Sequence, residues 1–154
     1  MPSDKDPGDW KRMLDKLGQR DGENQGKVVV PEQVDWETRL PHESATMGTE
    51  IFAFDGERQL GHAYLSDRAA GVAWIELLYV IPPARRQGLG AKILRSVESY
   101  CSAHGVREIQ GEVSINDYTV TEEEVEETAA WFEERGFTRR KDGVAHWFIS
   151  KAVQ

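Results

Sequence analysis

Cysteine is nearly absent from this chain. Cys101 is the only one, so no intrachain disulfide can form. No apolar run is long enough to span a bilayer, and the opening MPSDKDPGDWKRML lacks the apolar stretch of a secretory leader. No membrane association and a cytoplasmic location are therefore the default expectations. Basic charge is also short: 19 Lys and Arg stand against 27 Asp and Glu, for a formal net charge of -8. A general nucleic-acid binder needs a basic face, so nucleic acid is not an expected partner. The balance is compatible with a cationic acceptor such as an amine. His42, His62, His104 and His146 show no metal-ligand spacing, and no metal is expected. There is no internal repeat.

What is present suits one soluble domain. The chain has 154 residues, 39% hydrophobic and 30% charged. Residues 1–26 are polar and contain one short amphipathic helix candidate. Asp6 can cap it, Pro7 fits its first position and Gly18 can end it. Trp10, Met13, Leu14 and Leu17 form its apolar face. A helix this short is marginal alone. It is expected to dock on its own domain, on a second copy in a homodimer, or on a partner protein. Residues 21–26 read as a linker, which makes 1–26 an arm and 27–154 the folded domain.

Alternation of apolar and polar residues predicts a meander of strands. A short one is expected at 27–30, then a half-buried one over 33–40 carrying Val34, Trp36 and Thr38. Others follow at 50–54, 59–65 and 72–80, with Asp55-Gly56 as a tight turn. A fifth strand is expected at 107–115. Thr121-Glu122-Glu123-Glu124 is a capping box for a helix running to about Arg135. A hairpin over 137–152, turning at Asp142-Gly143, closes the chain.

The stretch around which the rest is arranged is WIELLYVIPPARRQGLGAKILRSVESYC, from Trp74 to Cys101. Pro82 and Pro83 stop its strand. Ile93, Leu94, Val97, Tyr100 and Cys101 then recur at helical spacing, and Gly105 ends that helix. Cys101 falls on the apolar face, as a small core residue or, alternatively, a thiol nucleophile. A helix start presents free N–H groups and partial positive charge. Gly88 and Gly90 allow close approach, and Arg85 and Arg86 precede them. Together these make a site for a phosphate or pyrophosphate. The plainer alternative is a strand-to-helix turn with glycines for geometry alone. No Lys-Ser/Thr pair follows, so it is not a P-loop, and a dinucleotide fingerprint would need a third glycine.

The spacing Val80-x-Pro82-x-x-Arg85-x-x-Gly88-x-Gly90 resembles the acetyl-coenzyme A signature of the GNAT N-acetyltransferases, Arg/Gln-x-x-Gly-x-Gly/Ala. The segment Ala129-Ala130-Trp131-Phe132-Glu133-Glu134-Arg135-Gly136-Phe137 resembles the family's second signature. The resemblance covers roughly 48–149. It implies an α+β fold, the GNAT acyl-CoA N-acyltransferase fold: a mixed, mostly antiparallel sheet with packed helices. Here the usual helices between the first two strands are lacking, since 41–48 is too short for them. The family's general-acid tyrosine falls at Phe132, which has no hydroxyl, and Val125 stands where the family has an asparagine.

The resemblance further implies an N-acetyltransferase in which an amine attacks acetyl-CoA directly, or a GNAT-fold binding or structural subunit that has lost catalysis. Cofactor contacts would come from Leu78, Tyr79 and Val80 along the pantetheine arm. Arg85, Arg86, Gln87, Gly88, Leu89, Gly90 and Ala91 would surround the pyrophosphate. Glu76, inside the apolar strand, is the candidate base, with burial expected to raise its pKa. Its alternative is a strand-face carboxylate paired with Arg or Lys. Tyr118 could substitute as the acid that protonates the leaving thiolate. The acceptor is an amine-bearing small molecule or protein.

Overall fold

The computed structural model describes residues 27–44, 46–115 and 121–154. The helix candidate of the arm and Tyr118 lie outside these residues. Seven strands form one sheet: β1 (Asp35–Arg39), β2 (Thr49–Asp55), β3 (Arg58–Ala69), β4 (Val72–Val80), β5 (Glu108–Ser114), β6 (Thr138–Lys141) and β7 (His146–Ala152). Two helices, α1 (Leu89–Ala103) and α2 (Glu122–Glu134), follow β4 and β5. The strand order is β1-β2-β3-β4-β5-β7-β6. All neighbours are antiparallel except β4 and β5. The sheet is therefore mixed and mostly antiparallel, as the sequence predicts. No helix lies between β1 and β2 among the described residues.

Alternation puts Ile51, Ala53, Ala63, Leu65, Ala73, Ile75, Ile109, Val113 and Ile149 on one face, where they form the core. Ile93, Leu94, Val97 and Cys101 of α1 and Val125 and Phe132 of α2 close over it. Gly61 lets α1 sit close to the sheet. A Cβ there would meet Ile93 Cδ1 at 2.6 Å and the Tyr79 carbonyl at 2.9 Å. The capping box forms, with Thr121 Oγ1 accepting from the Glu124 N–H at 3.0 Å. The opposite face of the sheet carries Phe52, His62, Tyr64, Trp74, Glu76, Glu112 and Phe148, and neither helix covers it.

Two expectations need correction. Residues 27–30 are not a strand. The Val28 N–H bonds the Pro83 carbonyl, and the Gln87 side chain takes up the Val28 carbonyl and the Val30 N–H. Those backbone groups are satisfied by a loop rather than a ladder. Strand β1 is not half-buried either: it pairs only with β2 at the sheet edge, and Trp36 is 41% exposed.

Candidate active site

The pairing of β4 with β5 ends at Ile75↔Gly111, although β4 continues to Val80 and β5 to Ser114. The strands diverge there, so the β5-facing edge of β4 has no strand partner among the described residues. Ile81 N–H bonds the Leu60 carbonyl on the β3 side. Alternation then aims the backbone groups of Leu78 and Val80 into the gap. One sheet irregularity sits beside it. Glu76 has no partner on β3, because Leu77 pairs Tyr64 and Ile75 pairs Leu65.

The gap opens into a cleft of ≈ 800 Å³ between the start of α1 and one face of α2. Leu78, Val80, Arg85, Arg86, Gly88, Leu89, Gly90 and Ala91 line it, as the sequence suggests for the cofactor contacts. Its other wall is Glu124, Glu127, Thr128, Trp131, Phe132 and Arg135 of α2 and the residue after it. At the head of α1 the backbone curls into a cradle. Arg86 has φ 64 and Gly88 φ 81, ψ 6, while no side chain caps the helix. Such successive N–H groups form an anion-binding concavity, which the first turn of the helix extends. A Cβ on Gly88 would meet nothing within 4 Å, so the space beside it is open.

Not every predicted contact points into this cleft. Tyr79 alternates to the open face, opposite His62. Gln87 turns away to hold Val28 and Val30. Arg85 lines the cleft, but its Nε donates to the Val80 carbonyl at 2.8 Å. Glu76 is exposed rather than buried, on the face that neither α1 nor α2 covers. Its Oε1 accepts from Ser66 Oγ at 2.7 Å and Arg68 Nη2 at 3.0 Å, the arginine pairing that was the alternative reading. The α2 wall went unread in the sequence. Its signal was there, in residues 124, 127, 128, 131 and 135, which recur at helical steps on a face that adjoins the core face of Val125, Ala129 and Phe132.

Phe132 is 5% exposed and meets Trp131 and Phe137 edge-on, at 5.0 and 5.2 Å between ring centres. Arg135 lies over Trp131 at 4.0 Å. Burial pushes the Cys101 thiol up to about 11, with the Glu98 and Asp67 charges adding to it, so a thiolate nucleophile is disfavoured. Burial also lowers His62 from its ordinary value, outweighing the opposite pull of Glu50. No group of His, Cys, Asp and Glu suited to a metal ion occurs among the described residues. Nor is any described helix long and apolar enough to cross a membrane.

A strand pair that parts beside a glycine-rich helix start, in a seven-stranded mixed sheet, defines the acyl-CoA N-acyltransferase fold. The profile of the acetyltransferase (GNAT) family matches residues 10–137, and the chain belongs to that family. Among curated proteins none matches it. Solved structures of similar fold include a putative GNAT acetyltransferase of Desulfovibrio desulfuricans. That one is 18% identical with TM-score 0.63, over 79% of this chain and 100% of that one. Another is the PaiA N-acetyltransferase of Thermoplasma acidophilum in complex with coenzyme A, 17% identical with TM-score 0.55 over 67% of this chain. The match spans 59% of the Thermoplasma chain. A third is the ribosomal-protein-S18-alanine N-acetyltransferase of Escherichia coli, 16% identical with TM-score 0.55, over 68% of each chain. At these identities the likeness is one of fold.

Proposed function

We propose that this chain is an N-acetyltransferase, moving an acetyl group from acetyl-CoA to an amine while both are bound. The observation that carries this reading is the continuity of the cleft. It runs from the parted edge of β4 to the N–H cradle at the head of α1. The residues present fit the cosubstrate: amides from Arg86 to Ala91 suit its diphosphate, and Arg86 adds positive charge. Leu78 and Val80 offer backbone groups to an extended amide-bearing arm, as an added strand would use them. Arg85 must release the Val80 carbonyl for that pairing to complete.

Acetyl-CoA supplies the thioester, whose C–S bond breaks as the amine forms the new C–N bond. The Leu78 N–H is placed to stabilise negative charge on the carbonyl oxygen. Glu76 takes its two hydrogen bonds on Oε1. Its Oε2 is left to hold the acceptor's ammonium and to accept a proton directly or through water. Tyr118 is the proposed donor to the departing sulfur.

The rival reading is a GNAT-fold binding subunit without catalysis, and Phe132 favours it. Two measurements separate the readings. Acetyl-CoA at about 100 times its Kd stabilises the fold by about 2.7 kcal/mol. For a chain of this size that raises Tm by roughly 5–10 °C. Gly88→Val strains a left-handed position and fills the cradle, so the shift disappears. No shift in the wild type removes the cofactor assignment. A shift without thiol release from any of a panel of amines leaves the binding subunit.

A further inference from the structure

On the open face of the sheet, the β5 side of the gap carries a second candidate for proton transfer. Phe148 meets Trp74 there, with ring centres 6.0 Å apart, so Phe148 of β7 and Trp74 of β4 share that face. His146 precedes Phe148 by one alternation and lies on the same face. Its Nε2 stands 3.4 Å from Glu112 Oε2. That separation is a charge contact, longer than a good hydrogen bond. Nε2 is nonetheless enclosed and has no other partner among the described residues. The ring as a whole is 30% exposed. Glu112 therefore faces Nε2, and Nδ1 is the ring nitrogen it does not address.

The register fixes where this pair stands. Ser114 pairs His146 across β5 and β7. Counting on from Ile75↔Gly111 brings Ser114 level with Leu78, to within the irregularity at Glu76. His146 thus stands one strand beyond Ser114, at the level of the backbone N–H proposed for the carbonyl oxygen. Glu76 of β4 and His146 of β7 lie on the same face of the sheet, on either side of β5.

We propose that His146, oriented by Glu112, is a catalytic base for acyl transfer. This rests on the N-acetyltransferase reading above. An acceptor arriving as an ammonium must lose two protons to become an amide. The first goes to Glu76 or its water, which frees the lone pair. His146 Nδ1 takes the second from the nitrogen as the C–N bond forms and the thioester C–S bond breaks, and later returns it to solvent. The charged groups around His146 are Glu112 from β5, Arg140 from β6 and Asp142 in the turn, while Glu76 with Arg68 lies on the same face beyond β5. The α2 helix lies on the other face and does not meet it.

The test uses the full chain with acetyl-CoA and three amines: spermine, Nα-acetyl-lysine and a peptide with a free N-terminal alanine. Thiol release is followed from pH 5.5 to 9. In His146→Gln, kcat falls about 100-fold, within the range for one general base. The KM for acetyl-CoA and its Tm shift stay as in the wild type, and the acid limb of the pH profile flattens. Imidazole restores turnover to His146→Gly. An independent readout is the ring ¹⁵N spectrum of the chain without ligand. It shows the Nε2–H tautomer in the wild type and a mixture in Glu112→Gln. Wild-type turnover with an unchanged His146→Gln variant overturns the role of His146 alone. A ring tautomer indifferent to Glu112 does the same for the orienting contact. No turnover by the wild type on any amine, with the Tm shift intact, overturns the enzyme reading and this base with it.

Discussion

The open face of the sheet holds two histidine–glutamate pairs with the same geometry and opposite surroundings. His62 and Glu50 approach at 3.4 Å through Nε2 and Oε2, as do His146 and Glu112. The side chains of the first pair are only 15% and 7% exposed, those of the second 30% and 50%. His62 is stacked on Phe52 at 4.6 Å, and Ser44 Oγ donates to Glu50 Oε1 at 2.6 Å. Everything around the first pair holds it still, while the second borders a gap between strands. The difference teaches that distance alone does not assign a role to such a pair. Burial decides whether the imidazole is locked into the fold or left partly open to solvent.

That contrast can be broken most directly by truncation. Glu50→Ala removes the carboxylate that faces the buried His62 Nε2 and lowers unfolding stability by about 1–3 kcal/mol. Glu112→Ala, at a half-exposed pair, costs less than about 0.5 kcal/mol. Urea unfolding of both variants measures this, and equal losses would mean that burial does not separate the pairs.

The next effect is in pH. Burial lowers the folded-state value of His62, so the unfolded chain takes up a proton before the folded one does. Stability present above about pH 6.5, the ordinary histidine value, is lost as pH falls below it toward the folded value. His62→Phe, which keeps the stack on Phe52, flattens that acid-side loss in chemical denaturation at pH 5 and 7. An undiminished slope would place the titrating group elsewhere. The smallest effect is in salt. Raising NaCl to about 0.5 M shrinks the screening length to roughly 4 Å. The small Glu112→Ala difference then vanishes, while the Glu50→Ala difference persists.

The centre of the fold was readable because its signals are local. The strand 72–80 has the bounds the alternation gives, and α1 and α2 begin and end within a residue or so of their caps. The cradle followed from Gly88 and Gly90 in the same way. Other features depend on partners distant in the chain. Residues 27–30 look like a strand by composition, but Gln87, far along the chain, takes up their backbone groups. Trp36 alternates as a buried residue would, yet β1 is an edge strand. Glu76 sits in an apolar run, which suggested burial. Both described helices pack on the other face, a tertiary fact, and among the described residues Glu76 is exposed. The gap beside β4 was reached only through the family resemblance, which implied contacts at Leu78 and Val80, because the point where the β4–β5 pairing ends depends on the register of two strands distant in the chain.

Gln87 has one consequence beyond its own loop. A single side chain bonds the Val28 carbonyl at 2.6 Å and the Val30 N–H at 2.9 Å, from within the turn that forms the cradle. The polypeptide entering the domain is thereby moored to the ligand-facing turn by a two-point clasp. Loss of this clasp in Gln87→Ala frees the backbone of residues 28–30 from the turn that carries Gly88.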